Sequence, residues 1–169
     1  ICDGFGHPLA VYYDVKRAFQ SPWVCLAPPH LTYLPGEEVE MPLWILSEAR
    51  RPELKGVCVK ARLFGPDLTL RREWKEWAPV EVPGSPTPIP GPPLRFQVPQ
   101  DARQAFFFVL VELEDANGNL LARNGYPFRC PPQLEDERFR QEYRAKPSRA
   151  FVLAEGHWLS PQLEKLPTK

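Results

Sequence analysis

Residues 106–128 read FFFVLVELEDANGNLLARNGYPF, two largely apolar runs joined by a short polar stretch. Phe106 to Leu113 is almost continuously apolar, as expected of a central strand covered on both faces. Asp115-Ala116-Asn117-Gly118-Asn119 predicts a hairpin turn, because an Asn-Gly pair readily takes positive φ. Leu120 to Phe128 is then the returning strand.

Working toward the N-terminus, the same period of two recurs. Leu94 to Val98 reads as a strand, and residues 83–93 (PGSPTPIPGPP) as a proline-glycine loop able to hold neither strand nor helix. Leu68 to Trp74 follows the turn Gly65-Pro66-Asp67. In the preceding run Val57, Val59, Ala61 and Leu63 point one way, while Lys60 and Arg62 point the other. Pro35-Gly36 marks a turn before Val39, Met41, Leu43 and Ile45, which alternate onto one face. Pro42 lacks an amide donor, so that run is an edge or carries a bulge. Trp23 to Leu26 is a short first strand, closed by Pro28-Pro29. About seven short strands separated by turn signals predict an all-β fold, an immunoglobulin-like β-sandwich. The Cys…Trp…Cys core of antibody domains is absent.

A helix is expected at each end. From Leu9 to Phe19 the apolar positions Val11, Tyr12, Val15, Ala18 and Phe19 share one helical face, and Tyr13, Asp14, Lys16 and Arg17 the other. A helix this short must bury its stripe against something. Ser21-Pro22 stops it. A second helix is expected over Leu134 to Ala145, with Glu135, Asp136 and Glu137 in the first turn, where they suit the helix dipole. The tail beyond carries Phe151-Val152-Leu153 and Trp158-Leu159, too apolar for a simple solvated end.

Composition narrows the function. The 169 residues hold 21 basic and 21 acidic side chains, and this balance argues against nucleic-acid binding, which needs a basic surface. No apolar run approaches the roughly 18 residues of a membrane span. Ile1-Cys2-Asp3-Gly4 has neither the basic region nor the apolar run of a signal peptide, and the opening without Met reads as a fragment or a mature form. Cys2, Cys25, Cys58 and Cys130 lie far apart without C-x-x-C spacing, so free buried thiols in a reducing cytoplasm are preferred over a zinc site. The 22 prolines fall mostly between apolar runs, and with one Met they point to a heat-adapted source.

Two segments carry a family resemblance. Ile1 to Leu26 (ICDGFGHPLAVYYDVKRAFQSPWVCL) resembles the junction in glycoside hydrolase family 2 enzymes, β-mannosidase-like or β-galactosidase-like, where the catalytic (β/α)8 barrel ends and an immunoglobulin-like domain begins. Asp3, Tyr12, Tyr13, Lys16, Arg17, Ala18 and Trp23 to Leu26 take the places of the family's pattern there. Leu121 to Pro131 (LARNGYPFRCP) is similar to the closing strand of that domain, and Tyr33-Leu34-Pro35-Gly36 fits the start of its second strand. The resemblance spans residues 1–131. It implies that 1–21 end a barrel and 22–131 form the sandwich, while 132–169 match nothing in the family and read from their own pattern as a helical or irregular extension. It also implies that the two catalytic glutamates of a retaining β-glycosidase lie upstream of residue 1. The partner would then be that barrel, contacted through Val11, Tyr12, Val15 and Phe19.

Within the chain no catalytic site is expected. Retaining hydrolysis needs two carboxyl groups about 5 Å apart in a sugar-sized cleft. Glu37, Glu38 and Glu40, Glu73 and Glu76, and Glu112, Glu114 and Asp115 all read more simply as solvated charges. Gly4-Phe5-Gly6 lacks the G-K-[ST] of a phosphate loop, and His7, His30 and His157 are scattered, so no metal or cofactor is expected. Trp74-Lys75-Glu76-Trp77 offers two indoles with polar rims, a candidate carbohydrate contact beside the simpler reading of packing. Residues 83–93 nominally fit P-x-x-P, though a stiff connection is the plainer reading. The sequence thus predicts a non-catalytic accessory sandwich of a larger glycosidase. Its rivals are a carbohydrate-binding module using Trp74 and Trp77 and a stand-alone interaction sandwich.

Overall fold

The computed structural model describes residues 6, 8, 10–30, 32–48, 53–75, 77–84, 86–102 and 106–130. One helix, α1 (Ala10–Ala18), precedes ten strands. They are β1 (Trp23–Leu26), β2 (Glu38–Met41), β3 (Leu43–Leu46), β4 (Leu54–Phe64) and β5 (Leu70–Trp74), then β6 (Val80–Val82), β7 (Ile89–Pro90), β8 (Leu94–Gln97), β9 (Phe106–Glu114) and β10 (Leu120–Arg129). The expected helix at Leu134 to Ala145 and the tail lie outside the described residues.

The strands form two layers. One is ordered β10-β9-β4-β5, with β6 pairing β4 beyond β5. The other consists of β1-β3-β7 and the β2-β8 pair, and every strand pairing is antiparallel. The β9–β10 hairpin forms where Asn117-Gly118 predicts it. Gly118 has φ of 80°, and Asp115 and Asn119 close the turn through Asp115 N–H donating to the Asn119 carbonyl at 2.9 Å. Gly36 likewise takes φ of 78°, and the Glu37 amide donates back to Leu34 at 3.1 Å, as a Pro-Gly turn of type II requires.

Alternation places the core between the layers. Val39, Met41, Leu43 and Ile45 point inward across from Val57, Val59, Ala61 and Leu63, with Phe107, Val109, Val111 and Leu113 of β9 in the same cluster. Tyr33 is 1% exposed, meets Phe107 and Phe128 edge-on, and donates its hydroxyl hydrogen to the His30 carbonyl at 2.9 Å. β9 is buried on its other face too, where Phe108 and Leu110 cluster with Phe64.

Three expectations need correction. Pro42 does more than interrupt a strand: the chain changes partners there, β2 pairing with β8 and β3 with β1 and β7. The 83–93 segment does hold a short strand, Ile89–Pro90, paired with Ile45 and Trp44. Pro90 is tolerated because it needs no amide bond at that end of the ladder. Finally, Arg17, which periodicity sets on the polar face of α1, is buried and paired with Asp14 at 2.6 Å, while Val11 (42%), Tyr12 (39%) and Phe19 (80%) are exposed.

Candidate functional site

The sequence nominates Trp74 and Trp77, and the structure sets both partly into the sandwich. Trp74 ends β5, whose Leu70, Arg71, Arg72 and Glu73 are all exposed. Its ring meets Phe96 edge-on at 6.1 Å, and the Arg72 guanidinium lies over it at 4.6 Å. Trp77 follows in the loop after β5, and both indoles pack against the main core. One face of Trp74 is therefore occupied by a cation, unlike a bare stacking platform.

Arg72 and Trp74 share the inward-facing parity of β5, being paired with Leu63 and Ala61. Because β5 is an edge strand, that face overhangs the open mouth of the sandwich. There a groove of two adjoining lobes, about 530 and about 550 Å³, runs between β5 and the β2–β8 pair. Arg72, Phe96 and Gln97 line both lobes. Arg71 at one end is held by Asp67 (3.0 Å) and Asp101, and Arg95 at the other by Glu40 (2.9 Å). Asp67 is itself held below the usual carboxylate range, chiefly by the Thr69 hydroxyl and amide.

A second surface is apolar. Besides Val11, Tyr12 and Phe19 of the α1 region, Trp23 (36%) and Trp44 (37%) are exposed on the outer face of β1 and β3. Trp44 stands opposite Cys25, and Trp23 opposite Leu46, so the two indoles are diagonal neighbours. Val15 alone of the four helix residues predicted to pack is half-buried. Sequence parity carries the signal for the tryptophans: once Val24, Leu26, Leu43 and Ile45 face the core, Trp23 and Trp44 must face out.

The carboxylates do not form a reactive pair. Glu112 is buried between Arg62 (2.7 Å) and Arg123 (2.6 Å), and buried Glu114 pairs with Lys60 at 2.5 Å. These two are not solvated charges, a correction that follows from β9 being central. Glu37 accepts the Leu34 amide at 2.8 Å, and Glu73 pairs with Lys75 at 3.0 Å. Glu76, His7 and His157 fall outside the described residues, and His30 packs against Tyr33. Cys25, Cys58 and Cys130 are free thiols. Burial raises Cys25, and burial followed by the nearby Glu37 charge pushes Cys130 up to about 12. Among the described residues no group of His, Cys, Asp and Glu is arranged to hold a metal ion. No described helix is long and apolar enough to cross a membrane.

No family model matches the chain, and no curated protein sequence matches it. Solved structures that resemble it include Spo0M, a sporulation control protein from Bacillus subtilis, at 13% identity and TM-score 0.46 over 67% of this chain and 50% of that one. A β-glucuronidase from glycoside hydrolase family 2 matches at 11% identity and TM-score 0.46, over 63% of this chain and 11% of its own. A Paenibacillus cycloisomaltooligosaccharide glucanotransferase matches at 11% identity and TM-score 0.44, over 68% and 14%. The chain spans half or less of the length of these three proteins, and likeness of this degree carries no argument about activity.

Proposed function

We propose that the chain is a non-catalytic accessory domain of a larger glycoside hydrolase, an immunoglobulin-like sandwich that braces a catalytic barrel through its N-terminal helix. The observation that carries this reading is α1, whose Val11 and Tyr12, with Phe19 just beyond, stand exposed on a folded domain. An amphipathic helix gains nothing from an apolar stripe in water, so the stripe serves a surface outside this sandwich. The family 2 resemblance of residues 1–26 supplies that surface as the wall of the preceding barrel. Two further observations support the reading. The layer order β10-β9-β4-β5 against β1-β3-β7 suits an immunoglobulin-like topology. The described carboxylates of β9 are engaged in ion pairs, leaving no free acid and nucleophile there. In this reading residues 1–21 belong to the barrel, 22–131 to the sandwich and 132–169 to an extension.

The test has two arms on the 169-residue chain. Folded protein is expected to release no nitrophenol from aryl β-mannosides or β-galactosides, and turnover would overturn the non-catalytic assignment. Replacing Tyr12 and Phe19 by Asp is expected to leave its unfolding free energy within about 0.5 kcal/mol, as for surface sites. A loss above about 2 kcal/mol would mean that the helix face packs within this chain, which contradicts an interdomain role.

A further inference from the structure

The groove at the sandwich mouth has a charge arrangement that the accessory role does not use. Of its three arginines, Arg71 and Arg95 are each engaged by carboxylates. Arg72 differs. Among the described residues it makes no ion pair, and its contact is the ring of Trp74, 4.6 Å away. Stacking on an indole limits the freedom of a guanidinium while its in-plane N–H donors remain available. A stacked, unpaired arginine lining both lobes of a groove is suited to a planar oxyanion taken in bidentate fashion.

The rest of the lining restricts what can carry that oxyanion. Glu38, Glu40 and Asp101 lie along the same two lobes, with the amides of Gln97 and Gln100 between them. Carboxylates repel a polyanion such as an acidic peptide or a nucleic acid, but they accept hydrogen bonds from hydroxyl groups. Side-chain amides both donate and accept. A ligand with one carboxylate among several hydroxyls satisfies Arg72 and the acceptors together. Each lobe also falls within the size range of small-ligand sites, roughly 300–1,000 Å³.

We infer that this groove binds an acidic saccharide, with Arg72, steadied by Trp74, gripping the carboxylate of a uronic acid residue while Gln97 and the carboxylate rim engage neighbouring hydroxyls. The site stands apart from the barrel-facing helix, so either assignment can fail without the other.

Calorimetry and tryptophan fluorescence on the 169-residue chain test it, with an aldotriouronic acid (one glucuronate joined to two neutral xyloses) as the probe, xylotriose as its uncharged counterpart and triglutamate as an acidic peptide. Saturable binding of the aldotriouronic acid is expected, with neither of the others binding comparably. Arg72→Gln is expected to weaken it by roughly ten- to a hundredfold, the worth of a charge-assisted hydrogen bond. Arg72 is exposed, so an unchanged melting temperature shows that the variant is folded. Glu38→Ala separates the ligand classes: removing a hydroxyl acceptor weakens a saccharide, whereas removing a repulsive charge tightens an acidic peptide. No binding of the aldotriouronic acid, equal affinity in Arg72→Gln, or preference for triglutamate would each overturn the assignment.

Discussion

The side-chain amide of Gln20 pairs with both backbone groups of Arg123: its oxygen accepts the Arg123 N–H at 3.2 Å, and its nitrogen donates to the Arg123 carbonyl at 3.3 Å. One residue thus caps the free edge of β10 as a neighbouring strand would. Further along the same strand, Asn124 donates to the Val24 carbonyl, and the Tyr126 hydroxyl accepts the Leu26 amide at 3.1 Å. The β10 edge is where the two layers are tied. Gln20→Ala removes two partly buried hydrogen bonds and is expected to cost about 1–2 kcal/mol in urea unfolding. No loss would show that water replaces Gln20 there without penalty.

Glu112 lies between Arg62 and Arg123 on the face of β9 turned away from the main core, its side chain 3% exposed. Removing one partner of a buried ion pair strands the other charge. Glu112→Gln is therefore expected to destabilise by about 3–5 kcal/mol. Replacing Glu112 and Arg123 together by Leu and Met is expected to cost less than the two single changes summed, because the Arg123 charge is no longer stranded and only Arg62 loses its carboxylate. Strict additivity in that double-mutant cycle would contradict the pairing.

These side chains show what the sequence could and could not disclose. The β9–β10 hairpin was legible because Asn117-Gly118 fixes a turn and apolar runs flank it on both sides. Parity correctly assigned Val39 to Ile45 and Val57 to Leu63 to the core. It failed at Ile89–Pro90 and Val80–Val82, strands too short and too flanked by proline for any period to emerge. On α1 it misplaced Arg17, which periodicity sets on the polar face and the fold buries. Glu112 and Glu114 read as solvated because local sequence does not show that neighbouring strands set Arg62, Arg123 and Lys60 against them. The Arg72 groove depends on β5 and β8 meeting across the sandwich mouth, residues distant in the chain, so no local pattern announces it.

The Asp115 carboxyl titrates below the usual aspartate range, held there chiefly by hydrogen bonds from the Asn119 side chain and amide, then from Asn117. A carboxylate favoured in the folded state adds stability above its unfolded pKa of about 3.9 and loses it as pH falls through its lower folded value. Asp115→Ala should therefore destabilise the hairpin at neutral pH, and the gap from wild type should close as the solution is acidified below about pH 4. Chemical denaturation at several pH values checks this. A gap independent of pH would mean that the turn, not the charge, carries the effect.

Cys130 behaves in the opposite sense. Burial pushes its thiol up to about 12, so the folded state favours the protonated form. The stability this provides is complete below the unfolded thiol's pKa of about 8.5 and is lost as pH rises from there through about 12. Since the thiolate is the nucleophile, iodoacetamide near pH 8.5 is expected to spare Cys130 in the native protein and modify it in urea. Peptide mass mapping reads the outcome. Native alkylation as fast as in urea would contradict a buried, protonated thiol.

The central claim is that this sandwich is one part of a longer glycosidase polypeptide. The most direct measurement is the size of the native polypeptide, detected with an antibody against this domain and mapped by peptide mass spectrometry. The account predicts a chain longer by at least the roughly 250 residues of a (β/α)8 barrel, lying upstream of Ile1. A native polypeptide no larger than these 169 residues, with no such sequence ahead of it in the coding frame, would contradict the account.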